Sequence, residues 1–224
     1  MTAIQADAMR VLEETSRTFY IPVARLPEQL QETVAAAYLC MRAIDEIEDH
    51  EVLDNADKAR LLRSVGLIMQ SQTTINDRVL FELDAAFKPF ENILPEVTLR
   101  VGEWACHAPR IISPRIWDAT AAMADRMAQW VERNWVVRTE SDLDAYTYSV
   151  AGAVGLLLCD IWAWFDGTQI DRNAAIHFGR GLQAVNILRN RDDALQRRVD
   201  YYPKGCSREQ MFAYARRNLE LARE

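Results

Sequence analysis

The sequence predicts an all-α fold formed by one domain spanning residues 1–224. Apolar residues recur at spacings of three and four along most of the chain, and no alternating run bounded by turn residues reads as a strand. Glycine and proline are scarce, at 8 and 7 of 224 residues, while half the residues are hydrophobic and can fill one large core. Helices are expected at about 3–18, 28–50, 56–72, 76–87, 90–106, 115–136, 142–165, 171–195 and 208–223. Pro27, Pro89, Pro95, Pro109, Pro114 and Pro203 mark breaks.

Some of these helices carry further signals. In 28–50, Leu30, Val34, Ala37, Met41 and Ile44 form an apolar ridge. Ser141 before Asp142 and Asp144 places acid at the start of 142–165. Within that helix, Val150 to Phe165 is apolar but contains Asp160 and falls short of the roughly 20 residues of a membrane span, so a buried core helix is expected. Ser207 and Gln210 have capping-box spacing at the start of the last helix.

The net charge of −7, without clustered Lys or Arg, argues against a nucleic-acid partner. An anionic small substrate would need local positive charge from metal ions and a few arginines. Cys40, Cys106, Cys159 and Cys206 are far apart and lack CxxC spacing, which favours buried thiols in a reducing compartment. His50, His107 and His177 lack zinc-site spacing. The N-terminus has no basic start followed by an apolar stretch, so no ordinary signal peptide is expected, and the protein is placed in the cytoplasm. Of the six tryptophans, most are expected in the core; the alternative, an apolar surface for lipid, leaves peripheral membrane contact open.

The chemistry is concentrated on two helices. Asp45 and Asp49 are one turn apart, and counting back by three and four from Asp45 adds Arg42 and Tyr38 to the same ridge. Two carboxylates held that close need a positive partner, and Mg²⁺ holding a substrate phosphate is the usual one in a cavity; a solvated helix end is the plain alternative. Gln183, Asn186, Asn190 and Asp193 form a second oxygen-bearing ridge, with Leu182 and Val185 beside them for packing. Metal bridging both walls would draw on Asp45, Asp49, Asn186, Asn190 and Asp193; alone, the second ridge also reads as a solvated face. Between them, Ala151, Gly152, Ala153 and Gly155 suit either close helix packing or room for a bulky apolar ligand.

Four blocks in order now bear comparison with a known family: Ser16-Arg-Thr-Phe19 with Leu26-Pro27; Tyr38 to Asp49; Tyr146 to Gly155; and Leu182 to Arg189, with Tyr201 and Pro203 downstream. The chain resembles the squalene/phytoene synthase family over nearly its whole length. The resemblance implies an isoprenoid-synthase-like helical bundle around a central cavity. It also implies Mg²⁺-dependent ionisation of an allylic prenyl diphosphate such as farnesyl diphosphate, followed by head-to-head prenyl transfer. By position, Asp45 and Asp49 would ligate metal, and Arg17, Tyr38, Arg42, Gln183 and Arg189 would contact diphosphate or its metals. Tyr146 would sit near the reacting carbons, Ser16, Phe19 and Asn186 would belong to the substrate site, and Val150, Gly152 and Val154 would line the prenyl channel.

The family's second acidic motif, DxxED, here reads Asn190-Arg-Asp-Asp-Ala194, which lacks carboxylates at both aspartate positions. That departure keeps two alternatives open: prenyl-diphosphate hydrolysis to an alcohol or cyclisation, and non-catalytic isoprenoid binding. The pattern also stops at Arg223-Glu224 within a helix, where family members continue, which suggests a C-terminally shortened domain.

Overall fold

A computed structural model describes residues 3–70, 77–197 and 199–223, apart from the side chains of Ala3, Ile4 and Arg17. Helices α1 (Ala3–Thr15), α2 (Arg17–Val23) and α3 (Glu28–Glu48) are followed by α4 (Asn55–Gln70) and α5 (Asp77–Phe87). Two short helices, α6 (Glu96–Leu99) and α7 (Val101–His107), lead into α8 (Ser113–Glu132). Then come α9 (Glu140–Thr147), a π-helical turn at Tyr148–Gly152, α10 (Ala153–Asp166), α11 (Arg172–Arg189), α12 (Arg191–Gln196) and α13 (Arg208–Leu221). No strand occurs among the described residues.

Helix α3 is the axis of the core. Its expected ridge of Leu30, Val34, Ala37, Met41 and Ile44 is buried, and so are Leu39, Cys40, Ala43 and Ile47 on its other sides. It packs against α1, α6, α7, α8 and α10. Each large aliphatic side chain removed from water here contributes about 1.5–3 kcal/mol. Thr98 fastens α6 to this axis by donating to the Ala43 carbonyl at 2.8 Å. Helices α4 and α8 lie close because Gly66 and Ala121 meet at the contact, where a Cβ on Gly66 would stand 3.3 Å from the Ala121 oxygen.

Several boundaries differ from the sequence expectation, each for a local reason. The first helix breaks at Ser16, whose hydroxyl caps α2 by accepting from the Phe19 amide at 3.3 Å. The expected helix 90–106 is replaced by a 3-10 turn at Lys88–Phe90 and by α6 and α7, because Pro95 starts a new helix and Arg100 leaves helical geometry. Helix α9 starts at Thr139 rather than Ser141, since Thr139 and Asp142 form a reciprocal capping box. Ser207 and Gln210 form the expected one. Helix 171–195 is interrupted at Asn190 (φ −107°, ψ 20°), which places Asp193 on a separate short helix. The end of 56–72 and the start of 76–87 fall on 71–76, outside the described residues.

Helix α10 and the π-turn cross α11 at close range. A Cβ on Gly155 would stand 2.4 Å from the Ala175 oxygen, and one on Gly179 would stand 2.4 Å from the Ala151 oxygen. Gly152 is buried against Ile176 in the same crossing. Helix–helix packing therefore accounts for the small residues, and Gly152 faces α11 rather than standing on a free channel wall. The continuous helical stretch Glu140–Asp166 is long and apolar enough to cross a bilayer by length and composition. It packs against α3, α8 and α11, but only 33% of its apolar window is buried, so it is less enclosed than the core helix expected from the sequence.

Trp104, Trp117, Trp130 and Trp135 are buried with their indole N–H groups hydrogen-bonded, while Trp162 and Trp164 are partly buried. Among the cysteines, Cys40 and Cys159 are buried, but Cys106 on α7 is exposed and Cys206, in the loop before α13, is half-buried. All four are free thiols.

Candidate active site

The last turn of α3 carries Asp45, Glu46, Glu48 and Asp49, four carboxylates at the negative end of a helix dipole. Such a cluster requires compensating cations. Arg42 donates to Asp45 at 2.6 Å and also to Glu46. Arg197, 148 residues further along the chain, donates to Asp49 at 2.6 Å and brings the segment after α12 onto α3. Lys58 on α4 donates to the Glu48 carbonyl at 2.8 Å, and burial pulls its pKa down.

Tyr38, Arg42, Asp45 and Asp49 form a partly exposed strip along an otherwise buried helix. Partial burial, reinforced by the Asp49 charge and opposed by Arg42, pushes the Asp45 pKa up. Two carboxylates competing for positive charge in this way suit a hard divalent cation. Among the described residues no three His, Cys, Asp or Glu side chains gather into a complete metal cage. Further ligands would have to be amides, water or substrate phosphate, the usual supplement for Mg²⁺.

Glu48 is a site residue that the sequence reading passed over. It is only 3% exposed and accepts a 2.6 Å hydrogen bond from the Trp135 indole N–H. Burial, with the Asp49 charge adding to it, pushes Glu48 up to about 8. Asn134 and Trp135 adopt consecutive left-handed conformations (φ 52° and 49°), strained for non-glycine residues, and the Glu48 bond helps hold them. A signal existed: Glu48 stands four residues after Ile44 and continues the apolar ridge, so an acid there had to be buried. Arg197 and Lys58 had no such signal, because each reaches α3 from another helix, a pairing that periodicity within α3 does not encode.

Tyr146 lies beside this acidic end. It is buried, stacks on Tyr201 at 4.6 Å and meets Trp130 edge-on at 5.4 Å. Burial, with Glu48 adding to it, raises its pKa well above the ordinary phenol value, so it stays protonated. The π-turn begins two residues later, and such turns recur at functional sites. Phe19 on α2 is half-exposed with its ring 5.9 Å from Tyr38. Ser16 is occupied as a helix cap, and the Arg17 side chain lies outside the described residues. Val154 lines a cavity of about 220 Å³ between α3, α8 and α10, and Val150 is partly buried nearby in sequence.

The second ridge is organised differently. Gln183 is half-buried, whereas Asn186, Arg189, Asn190 and Asp193 are exposed. The Asn190 side-chain N–H donates to the Asn186 side-chain oxygen at 2.8 Å, which engages the Asn186 oxygen but not that of Asn190. Leu182 and Val185, expected to pack, are 39% and 44% exposed, because α11 turns that face away from the core. Ala194 is buried, so no acidic side chain at that position would be free to reach a ligand without disturbing the core.

An all-α bundle whose central helix ends in an arginine-clamped carboxylate pair beside a buried tyrosine defines a helical protein with a candidate polyanion site. The squalene/phytoene synthase family model matches residues 12–211. The chain is 30% identical over 187 residues to Squalene synthase BSS of Botryococcus braunii, covering 80% of this chain and 38% of that one. It is 26% identical over 203 residues to the squalene synthase of Dictyostelium discoideum, covering 87% and 46%. The solved structure of TcSQS with the ligand BPH1237 superimposes with a TM-score of 0.71 at 22% identity, covering 99% of this chain and 67% of that one. The chain belongs to the squalene/phytoene synthase family, and it spans less than half the length of these two squalene synthases.

Proposed function

We propose that this chain acts on an allylic prenyl diphosphate, with farnesyl diphosphate as substrate, and carries out head-to-head prenyl transfer of the squalene/phytoene synthase type. The observation that carries this reading is the Asp45–Asp49 pair, clamped by Arg42 and Arg197 and placed next to buried Tyr146. Asp45 and Asp49 would hold Mg²⁺, with Asn186, Asn190 and Asp193 as candidate ligands on the second ridge. Bound there, the metal supplies Lewis-acid neutralisation of the diphosphate leaving group.

The chain's own residues supply the remaining functions. Arg42, and Arg197 once freed from Asp49, can give charge-assisted hydrogen bonds to phosphate oxygens. Tyr146, Tyr201 and Trp130 present aromatic surface, worth on the order of 1–2 kcal/mol against a cation at a ring face. Val154 and its cavity shelter apolar tail from water. The four free thiols support a cytoplasmic setting.

Hydrolysis of one prenyl diphosphate to its alcohol is the second reading, favoured by the exposed second ridge and the carboxylate-free Asn190 and Ala194 positions. Incubation with Mg²⁺ and farnesyl diphosphate, followed by product extraction, separates the readings. A C30 hydrocarbon or its cyclopropyl precursor supports transfer, and farnesol with phosphate release supports hydrolysis. Unchanged substrate with retained binding supports a non-catalytic isoprenoid carrier.

A further inference from the structure

The two arginines that clamp the acidic end of α3 do so in different ways. Arg42 belongs to α3 itself and holds Asp45 and Glu46, three and four residues away, so both of its bonds lie within one helix. Arg197 comes from the C-cap of α12, 148 residues beyond Asp49, and donates to that carboxylate at 2.6 Å. It also acts electrostatically on Asp45 and Lys58, and Tyr146 and Tyr201 act on it, so it stands among the groups of the site. The Asp49 bond is its one carboxylate contact among the described residues, and the two side chains are 36% and 45% exposed. A pair so open to water is weak, because solvent screens it. A divalent cation brings twice the charge to the same oxygens.

We infer that Arg197 is a stand-in counter-ion: it holds Asp49 until a divalent cation takes that carboxylate, and then turns to the phosphate oxygens of the ligand that accompanies the metal. Metal alone has to break the Arg197–Asp49 pair while giving the guanidinium no new acceptor, so it binds weakly. Metal together with a diphosphate supplies that acceptor, and the guanidinium fork can bond it with charge assistance. Metal and diphosphate therefore raise each other's affinity through one side chain. Asn190 and Ala194 put no carboxylate on the second ridge, so the exchange at Asp49 carries more of the metal binding in this chain. The exchange rests on the prenyl-diphosphate reading of the site and adds to it the order in which partners change.

Two titrations test it: Mn²⁺ alone, followed by electron paramagnetic resonance, and farnesyl thiolodiphosphate at saturating Mg²⁺, followed by calorimetry. In Arg197→Met, Mn²⁺ alone should bind about tenfold tighter than in the wild type and the analogue about tenfold more weakly, an ordinary scale for coupling between two ligands. A merely structural role would weaken both. Added to Asp49→Asn, the same substitution should bring no gain in Mn²⁺ affinity, since the contested carboxylate is gone. Arg197→Gln repeats the measurements should the Met variant fail to fold, and thermal melts check both. A gain that persists beside Asp49→Asn comes from the general field of the lost charge and overturns the exchange. So does the absence of either shift in the folded variants, and in these cases the prenyl-diphosphate reading stands as long as the wild type binds the analogue. A wild type that does not bind it overturns that reading as well.

Discussion

The end of α3 and the end of α11 were both expected to present oxygen ligands, and the fold treats them in opposite ways. On α3, carboxylates crowd the last turn, where Arg42, Arg197 and Trp135 donate to them and Lys58 donates to the Glu48 backbone carbonyl. On α11, the amides of Asn186 and Asn190 bond to each other in solvent beside exposed Leu182 and Val185. Charge brought together under partial burial stores a demand for a cation, whereas a neutral amide pair stores none. The first ridge therefore favours a cation, whereas the second offers neutral oxygens, of which the Asn186 one already accepts a hydrogen bond.

This contrast predicts unequal sensitivity to substitution. Asp45→Ala should lower turnover of farnesyl diphosphate by about 10²–10³-fold, the scale of losing a preorganised electrostatic group. Asn186→Ala should cost less than tenfold, and steady-state kinetics on both variants would break the contrast if the order reversed. Gly179→Ala forces a Cβ against the Ala151 carbonyl and should cost about 1–3 kcal/mol in denaturant unfolding. Ala194→Asp places a carboxylate in the core and should also cost about 1–3 kcal/mol. Asn190→Asp at an exposed helix end should stay within about 0.5 kcal/mol and tighten Mg²⁺ binding in a direct titration.

The last prediction concerns pH. Glu48 titrates at about 8 in the folded chain, above the usual carboxylate range, so the folded state holds more protons than the unfolded state between those values. Its contribution to stability is present below the unfolded pKa and is lost as pH rises toward 8. Glu48→Gln keeps an acceptor for Trp135 but does not titrate. Its thermal midpoint relative to wild type should therefore climb as pH is raised from about 4.5 to about 8, and a flat difference would show Glu48 to be ionised throughout.

Much of this was legible in the sequence because α3 is long, regular and buried on several sides. Three- and four-residue spacing alone selected Tyr38, Arg42, Asp45 and Asp49. The break at Arg100 was not legible, since arginine is a good helix former, whereas Asn190 after Arg189 carried a helix-stop signal that the continuous periodicity outweighed. The outward face of α11 was equally hidden, because Leu182 and Val185 have the periodicity of a core seam whether or not a neighbour covers them. Arg197 reaches Asp49 across 148 positions, a pairing that periodicity does not encode.

The reciprocal seating of Gly155 and Gly179 couples two parts of the molecule mechanically. With backbone pressed on backbone at both crossings, α11 cannot slide along α10 by a fraction of a turn without collision, and it is left only a tilt about that fulcrum. Any such tilt is transmitted to the π-turn through Ala151 and Gly152, and so to the helix that bears Tyr146.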